Sequence, residues 1–277
     1  MLRKLFGHIT TLIAVVVAAA IGYFALVNWQ QPEPIKLMTP DGRPLISAAQ
    51  PVLDPWNGQF DNNSGYDISY PQCKQGHPDG AVGFAIIGLN HGKPFSDNPC
   101  FGSQWKWAQE HIGSAIYINL ADPNKDEPAK YGAKIASDTI KKMKKNGVPK
   151  GTPIWLDIET HNTWTTPERS TVVINEVAAR LTKAGFPVGI YGPPVHWFEI
   201  TLNAVIELPV WLALGPYDTV EAGVAAAKLA CTQVAFGDTK PKIVQFITEA
   251  NGVALDHNLM CEFDPVGLIK QNCSRKS

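Results

Sequence analysis

Charge of either sign is scarce in this sequence. Only 18% of its 277 residues are charged, 24 basic against 25 acidic, which leaves a net charge of −1. No basic stripe runs along it, so nucleic acid is not an expected partner. The one lysine cluster, Lys141 to Lys145, is broken by Met143 and falls where a helix should end. It reads as the solvated face of a helix near its C-terminus. The five cysteines form neither a CxxC pair nor a zinc-type spacing. There is no HExxH, no GxGxxG and no Walker loop, so no metal, nucleotide or other cofactor is expected. Internal repeats are also missing.

The apolar content is ample, at 45% of the chain, and its first block is set apart from the rest. Arg3 and Lys4 precede Ile9 to Val27, a stretch with no charged residue that is about long enough to cross a bilayer as a helix. The basic residues should remain in the cytoplasm, with the remainder of the chain outside. A cleaved signal peptide ending at Ala18-Ala19-Ala20 is the rival reading, although the apolar stretch continues past it. Residues 1–28 are therefore expected to be a membrane anchor or signal peptide. Either would place the following domain in an extracytoplasmic compartment. Residues 29–63 read as a linker carrying Pro32, Pro34, Pro40, Pro44, Pro51 and Pro55, semi-extended and able to reach roughly 100 Å. In an oxidising compartment the cysteines should be disulfide-bonded. Cys73–Cys100 and Cys231–Cys261 is the favoured pairing, with Cys273 left over; spacing alone leaves other connectivities open.

From residue 64 to 277, short apolar runs alternate with helical patterns. Strands are expected at Tyr66–Ser69, Val82–Leu89, Ala115–Leu120, Ile154–Glu159, Val188–Tyr191, Val210–Leu214 and Ile243–Ile247. Helices are expected at Gln104–His111, Pro128–Asn146, Pro167–Ala184 and about Thr219–Ala230. The third has the fullest set of signals: Thr166 as cap, Pro167 at its first position, Gly185 to close it, and Ile174, Val177 and Leu181 in its apolar stripe. Strand–helix alternation implies parallel strands joined by crossover helices, with the sheet buried on both faces. Seven or eight strands in this length fit an α/β fold closed as a small (β/α) barrel, TIM-barrel-like, rather than an open sheet.

The segment Ile154-Trp155-Leu156-Asp157-Ile158-Glu159 ends an apolar strand on two acids. Residues two apart on a strand share a face, so Trp155, Asp157 and Glu159 should point into the barrel, with Leu156 and Ile158 under the helices. Carboxylates about 7 Å apart in a half-buried mouth push at least one pKa upward. That is the arrangement for general-acid work on a glycosidic bond. An acid past a strand can equally cap the next turn, here Thr160-His161-Asn162-Thr163. Two further acids weigh against that reading alone: Asp67 on the first strand and Asp256 after the last one. In a closed barrel these two strands are neighbours, and both acids could face the same mouth.

In order, GYDIS, FAIIG, LDIE, VGIYG, PVWLA, IVQF and LDHN resemble the glycoside hydrolase family 25 muramidases, over about Gly65 to Cys261. The chain is especially similar to the exported family-25-like domains of actinobacteria. That resemblance implies Glu159 as general acid/base and Asp157 as the group that orients or stabilises the substrate or the oxocarbenium-like transition state. It implies that Asp67 and Asp256 complete an acidic mouth and that Tyr117, Tyr191 and Gln245 contact sugar. Trp164 and Trp197 could stack on sugar rings or pack under a loop. The chain departs from the family at Tyr117-Ile118-Asn119, where the muramidases carry a Tyr-His-Phe-like element. It also departs in the loop after Leu120 and at Asp256-His257-Asn258. A chitinase-like barrel would need two more acids upstream of LDIE, where Thr152-Pro153-Ile154-Trp155 stands instead. The expectation is an exported glycosidase acting on cell-wall polysaccharide, peptidoglycan first, held at the membrane by its N-terminal helix or secreted. A non-catalytic wall-binding module on the same barrel is the alternative.

Overall fold

The computed structural model describes residues 61–78, 82–250, 253–262 and 270–271. The expected anchor, most of the expected linker and Cys273 lie outside the described residues. Among the described residues no helix is long and apolar enough to cross a membrane.

Eight strands close into a barrel: β1 (Asp61–Ile68), β2 (Val82–Gly88), β3 (Gly113–Asn119), β4 (Ile154–Asp157), β5 (Val188–Gly192), β6 (Val210–Tyr217), β7 (Pro241–Ala250) and β8 (Val253–Met260). Each bonds to its sequence neighbour, and β8 bonds back to β1. Strands β1 to β7 are parallel, whereas β8 runs antiparallel to both β7 and β1. A two-residue β9 (Lys270–Gln271) adds to the start of β3. Five helices cover the outside: α1 (Phe101–Ala108), α2 (Pro128–Lys145), α3 (Pro167–Lys183), α4 (Pro194–Thr201) and α5 (Val220–Ala230). A short 3-10 helix at Tyr70–Lys74 follows β1.

Three differences from expectation bear on the mouth. The segment around Asp256 is a strand and not a loop, and it is antiparallel. Helix α4 was not foreseen. Strand β4 ends at Asp157, two residues early, although Ile158 N–H still bonds the Tyr191 carbonyl at 3.0 Å.

The barrel separates two apolar layers. Between sheet and helices lie Ile87, Ile116, Leu156, Ile158, Ile190 and Phe246, among others. Inside the barrel lie Phe84, Ile86, Ala115, Trp155, Trp211 and Met260. Glycine makes room for the largest inner rings. A Cβ on Gly65 would come within 2.5 Å of the Phe84 ring, and one on Gly189 within 2.3 Å of Trp155. Helix α3 forms where the sequence places it: the Thr166 side chain accepts the Arg169 N–H, Pro167 opens the first turn, and Gly185 follows at φ 92°. Its stripe of Val173, Ile174, Val177 and Leu181 is buried against the core. The lysine cluster ends α2 as expected, with Lys142 drawn to Asp138 at 2.7 Å and to Asp97 at 3.1 Å.

Two disulfides, Cys73–Cys100 and Cys231–Cys261, have Cα separations of 5.6 and 5.2 Å. Both spans lie inside the ordinary range for the bond, and the pairing is the favoured one. The first closes the β1–β2 connection onto the start of α1. The second ties the end of α5 to the end of β8.

Candidate active site at the barrel mouth

The inward positions change from apolar to polar along β3, β4 and from Ile243 to Gln245 on β7. At the bottom are Phe84, Trp155 and Ile243; toward the C-terminal ends of the parallel strands are Asp67, Asn119, Asp157, Tyr191 and Gln245. These open into a cavity of about 290 Å³, lined also by Tyr117, Glu159, Trp211 and Asp256. The C-terminal ends of barrel strands are where such folds build their sites.

All four acids expected at the mouth reach it. Asp67 and Asp256 lie directly opposite each other on β1 and β8. Strand order explains this: β8 closes the barrel, and its antiparallel run brings Asp256 alongside the C-terminal end of β1. Asp157 is the last inward residue of β4, and Glu159 lies just beyond it.

Asp67 sits at the centre of a hydrogen-bonded chain. Its Oδ2 accepts from Gln245 Nε2 at 2.9 Å and from Asn258 Nδ2 at 2.7 Å. Tyr191 Oη donates to Gln245 Oε1 at 2.8 Å, and Trp211 Nε1 to Asn258 Oδ1 at 2.8 Å. Gln245 is thus held at both ends of its amide, which fixes it on Asp67. Trp211 meets Tyr191, Trp155 and Tyr117 at ring centroid distances of 4.3, 5.8 and 6.1 Å. It forms the aromatic floor beneath the acids.

Burial dominates the electrostatics. It lifts Asp67 well above the ordinary carboxylate range, Asp256 adds to that, and the Gln245 and Asn258 amides oppose it. Asp157 is lifted by burial first and by the neighbouring Glu159 next. Asp256 is pushed up to about 6, again by burial and then Glu159. Burial also holds the Tyr117 and Tyr191 phenols well above their usual value, so both remain neutral donors.

A raised acid favours the protonated folded state. The stability it lends is complete below the ordinary value of 3.8 and is lost as pH rises through about 6. Asp256→Asn is therefore expected to stabilise the protein at pH 7–8 by about 1–3 kcal/mol and to change little at pH 4. Thermal unfolding at the two pH values reads this directly.

Glu159 is the accessible member of the pair and faces two imidazoles. Its Oε2 lies 3.4 Å from His161 Nδ1, and its Oε1 lies 3.8 Å from His196 Nδ1. The loop that carries it is anchored from below. Trp164 Nε1 donates to the Glu159 carbonyl at 2.8 Å. Asp122, fully buried, accepts from Thr165 Oγ1 at 2.5 Å and from Arg169 Nε at 3.2 Å. Burial alone would raise the Asp122 carboxyl, but the Thr165 and Arg169 bonds hold it below its usual range.

The sequence leaves Trp164 and Trp197 open between stacking on sugar and packing under a loop, and both make packing contacts. Trp197 is 2% exposed, stacks on Phe236 and donates to the Ala204 carbonyl at 3.1 Å, so it packs under α4 away from the mouth. Trp164 packs against the outer core and secures the Glu159 backbone. Tyr117, Tyr191 and Gln245 do line the cavity. Sequence reading missed His196, Asn119, Asn258 and Trp211. Alternation along β6 and β8 could have pointed Trp211 and Asn258 inward; His196 depends on α4, which had no strong signal beyond Pro193-Pro194.

Among solved structures the fold is similar to a family 25 glycosyl hydrolase from Bacillus anthracis, with a TM-score of 0.51 and 16% identity over 73% of this chain and 90% of that one. A family GH25 lysozyme from Aspergillus fumigatus gives 0.51 and 19% over 73% and 95%. A muramidase from Acremonium alcalophilum gives 0.51 and 17% over 73% and 94%. A comparison with curated protein sequences finds no match. The family model described as Lysozyme-like protein 1 matches residues 82–222, just over half of the 277-residue chain. That span holds β2 to β6 with the Asp157–Glu159 pair, and on it the chain belongs to the lysozyme-like family.

Proposed function

We propose that the protein is an exported glycoside hydrolase that cleaves cell-wall glycan, with peptidoglycan as the first substrate. The observation that carries this reading is the Asp157–Glu159 pair at the mouth of a lysozyme-like barrel: one carboxyl buried, with its pKa raised by burial and by its neighbour, the other accessible. Glu159 would protonate the glycosidic oxygen of the leaving sugar and later take the proton from water. Asp157 would sit beneath the reacting sugar and stabilise the positive charge that develops there. Asp256 would border the sugar, and Asp67, held by Gln245 and Asn258, would fix the acidic floor. The neutral phenols of Tyr117 and Tyr191 are placed to donate to sugar oxygens. The disulfides fit an oxidising, extracytoplasmic compartment. The apolar block Ile9 to Val27 would hold the domain at the outer face of the membrane.

Reduction of the digested wall with borohydride tests the bond. Reduced muramic acid among the products is the expected result. Reduced glucosamine alone would move the cut to the other linkage, and no reduced sugar above an untreated control would sink the reading.

A further inference from the structure

At the end of β3 the chain carries an asparagine that no other part of the site explains. Asn119 is 6% exposed and lies in register opposite Asp157 on β4. Its Nδ2 donates to Asp157 Oδ2. Its backbone is clamped by a second asparagine: Asn119 N–H donates to Asn90 Oδ1 at 3.1 Å, and Asn90 Nδ2 donates to the Asn119 carbonyl at 3.0 Å. Asn90, 5% exposed, lies just past β2, so its amide continues a strand ladder where the sheet itself has ended. On the other side, Leu120 N–H bonds the Asp157 carbonyl at 3.0 Å. Asp157 is thus fixed by backbone and by one carboxyl oxygen, while Oδ1 makes no hydrogen bond among the described residues.

We propose that Asn119, clamped by Asn90, is a positioning residue that holds Asp157 by Oδ2 and so leaves Oδ1 as the oxygen that serves Glu159 and the reacting sugar. This rests on the function proposed above. An amide N–H can only donate, so Oδ2 acts as its acceptor and a proton shared with Glu159 is directed to Oδ1. The acid is then in one orientation before substrate arrives, which is where rate is gained by fixed geometry. The amide bond also lowers the Asp157 pKa against burial and Glu159, which raise it. Other titratable groups around this carboxyl are Asp67 on β1, Tyr117 on β3 and Tyr191 on β5. His161 and His196 face Glu159 from the far side.

The test uses the full-length protein as wild type, Asn119→Leu and Asn90→Ala. Asn119→Leu keeps the branched shape, adds some volume and removes the donor. It is expected to lower kcat about 10- to 100-fold with KM changed less than about twofold. Asn90→Ala should shift kcat in the same direction by less, and the double variant should fall short of the product of the two. Titration of the Asp157 carboxyl by carbon-13 NMR should move to higher pH in Asn119→Leu, since an opposing donor is gone. Thermal unfolding and the circular dichroism of each variant establish that the barrel has formed. An unmoved Asp157 titration in folded Asn119→Leu would overturn the proposal, as would a loss confined to KM, which would make Asn119 a substrate contact. Wild-type protein that releases no product would defeat the functional reading, while the carboxyl titration would still decide the role of Asn119.

Discussion

Glu159→Gln is expected to lower wall hydrolysis by about 10²- to 10⁴-fold, the range a positioned general acid supplies. The amide has the shape of the carboxyl but can neither deliver a proton to a leaving oxygen nor take one from water. The fold should not suffer. Glu159 contacts His161 and His196 at 3.4 and 3.8 Å, beyond good hydrogen-bond length, and its loop is held through its backbone by Trp164. Its charge also pushes up Asp157 and Asp256. Removing that charge should leave the melting temperature unchanged or higher at neutral pH. Loss of rate without loss of stability separates a catalytic acid from a structural one. An unchanged rate would mean that Glu159 is not the acid.

Trp155→Ala is expected to have the largest effect on stability, about 3–5 kcal/mol. The ring is 1% exposed, fills the lower barrel against Gly189, and meets Trp211 edge-on at 5.8 Å. No neighbour can collapse into the space, because the barrel wall is closed all round. At about 2–4 °C per kcal/mol for a domain of this size, melting should fall by roughly 6–20 °C. Trp155→Phe provides the contrast. Among the described residues the buried Trp155 indole N–H has no hydrogen-bond partner, so losing it costs no bond there. The Phe variant should therefore lose under half as much. Equal losses in the two variants would mean that ring volume is not what Trp155 contributes.

The chain shows how far such a barrel can be read from residues. Strands β2 to β7 and helices α2, α3 and α5 were legible because each is an apolar run or stripe bounded by turn residues. The pointing of Asp157 and Glu159 into the barrel followed from alternation alone, and Leu156 and Ile158 lie under the helices as that requires. Strand β8 escaped for a physical reason. Its inward positions, Asp256 and Asn258, belong to the polar mouth, and its outward positions include His257, which stacks on Phe246. With the inward face polar and the apolar outward residues Leu255 and Leu259 split by His257, the usual strand signature is broken. A different signal was present: the sequence has Asn251-Gly252 between residues that pair as Ala250 and Val253, the strongest short-range mark of a hairpin. Trp197 was left open because an aromatic looks the same in sequence whether it faces a ligand or the core. Only the direction of α4 decides that. The Asn90–Asn119 clamp joins two loop ends 29 residues apart, a relation no local pattern carries.

On the proposed function, this barrel would cut wall glycan through Glu159. The full-length protein, as wild type and as Glu159→Gln, is incubated with purified cell wall, and the released fragments are identified by mass spectrometry. Glycan fragments from the wild type alone are the expected result. No fragments from either protein, with both retained on the wall, would contradict the account and leave a binding module on the same barrel.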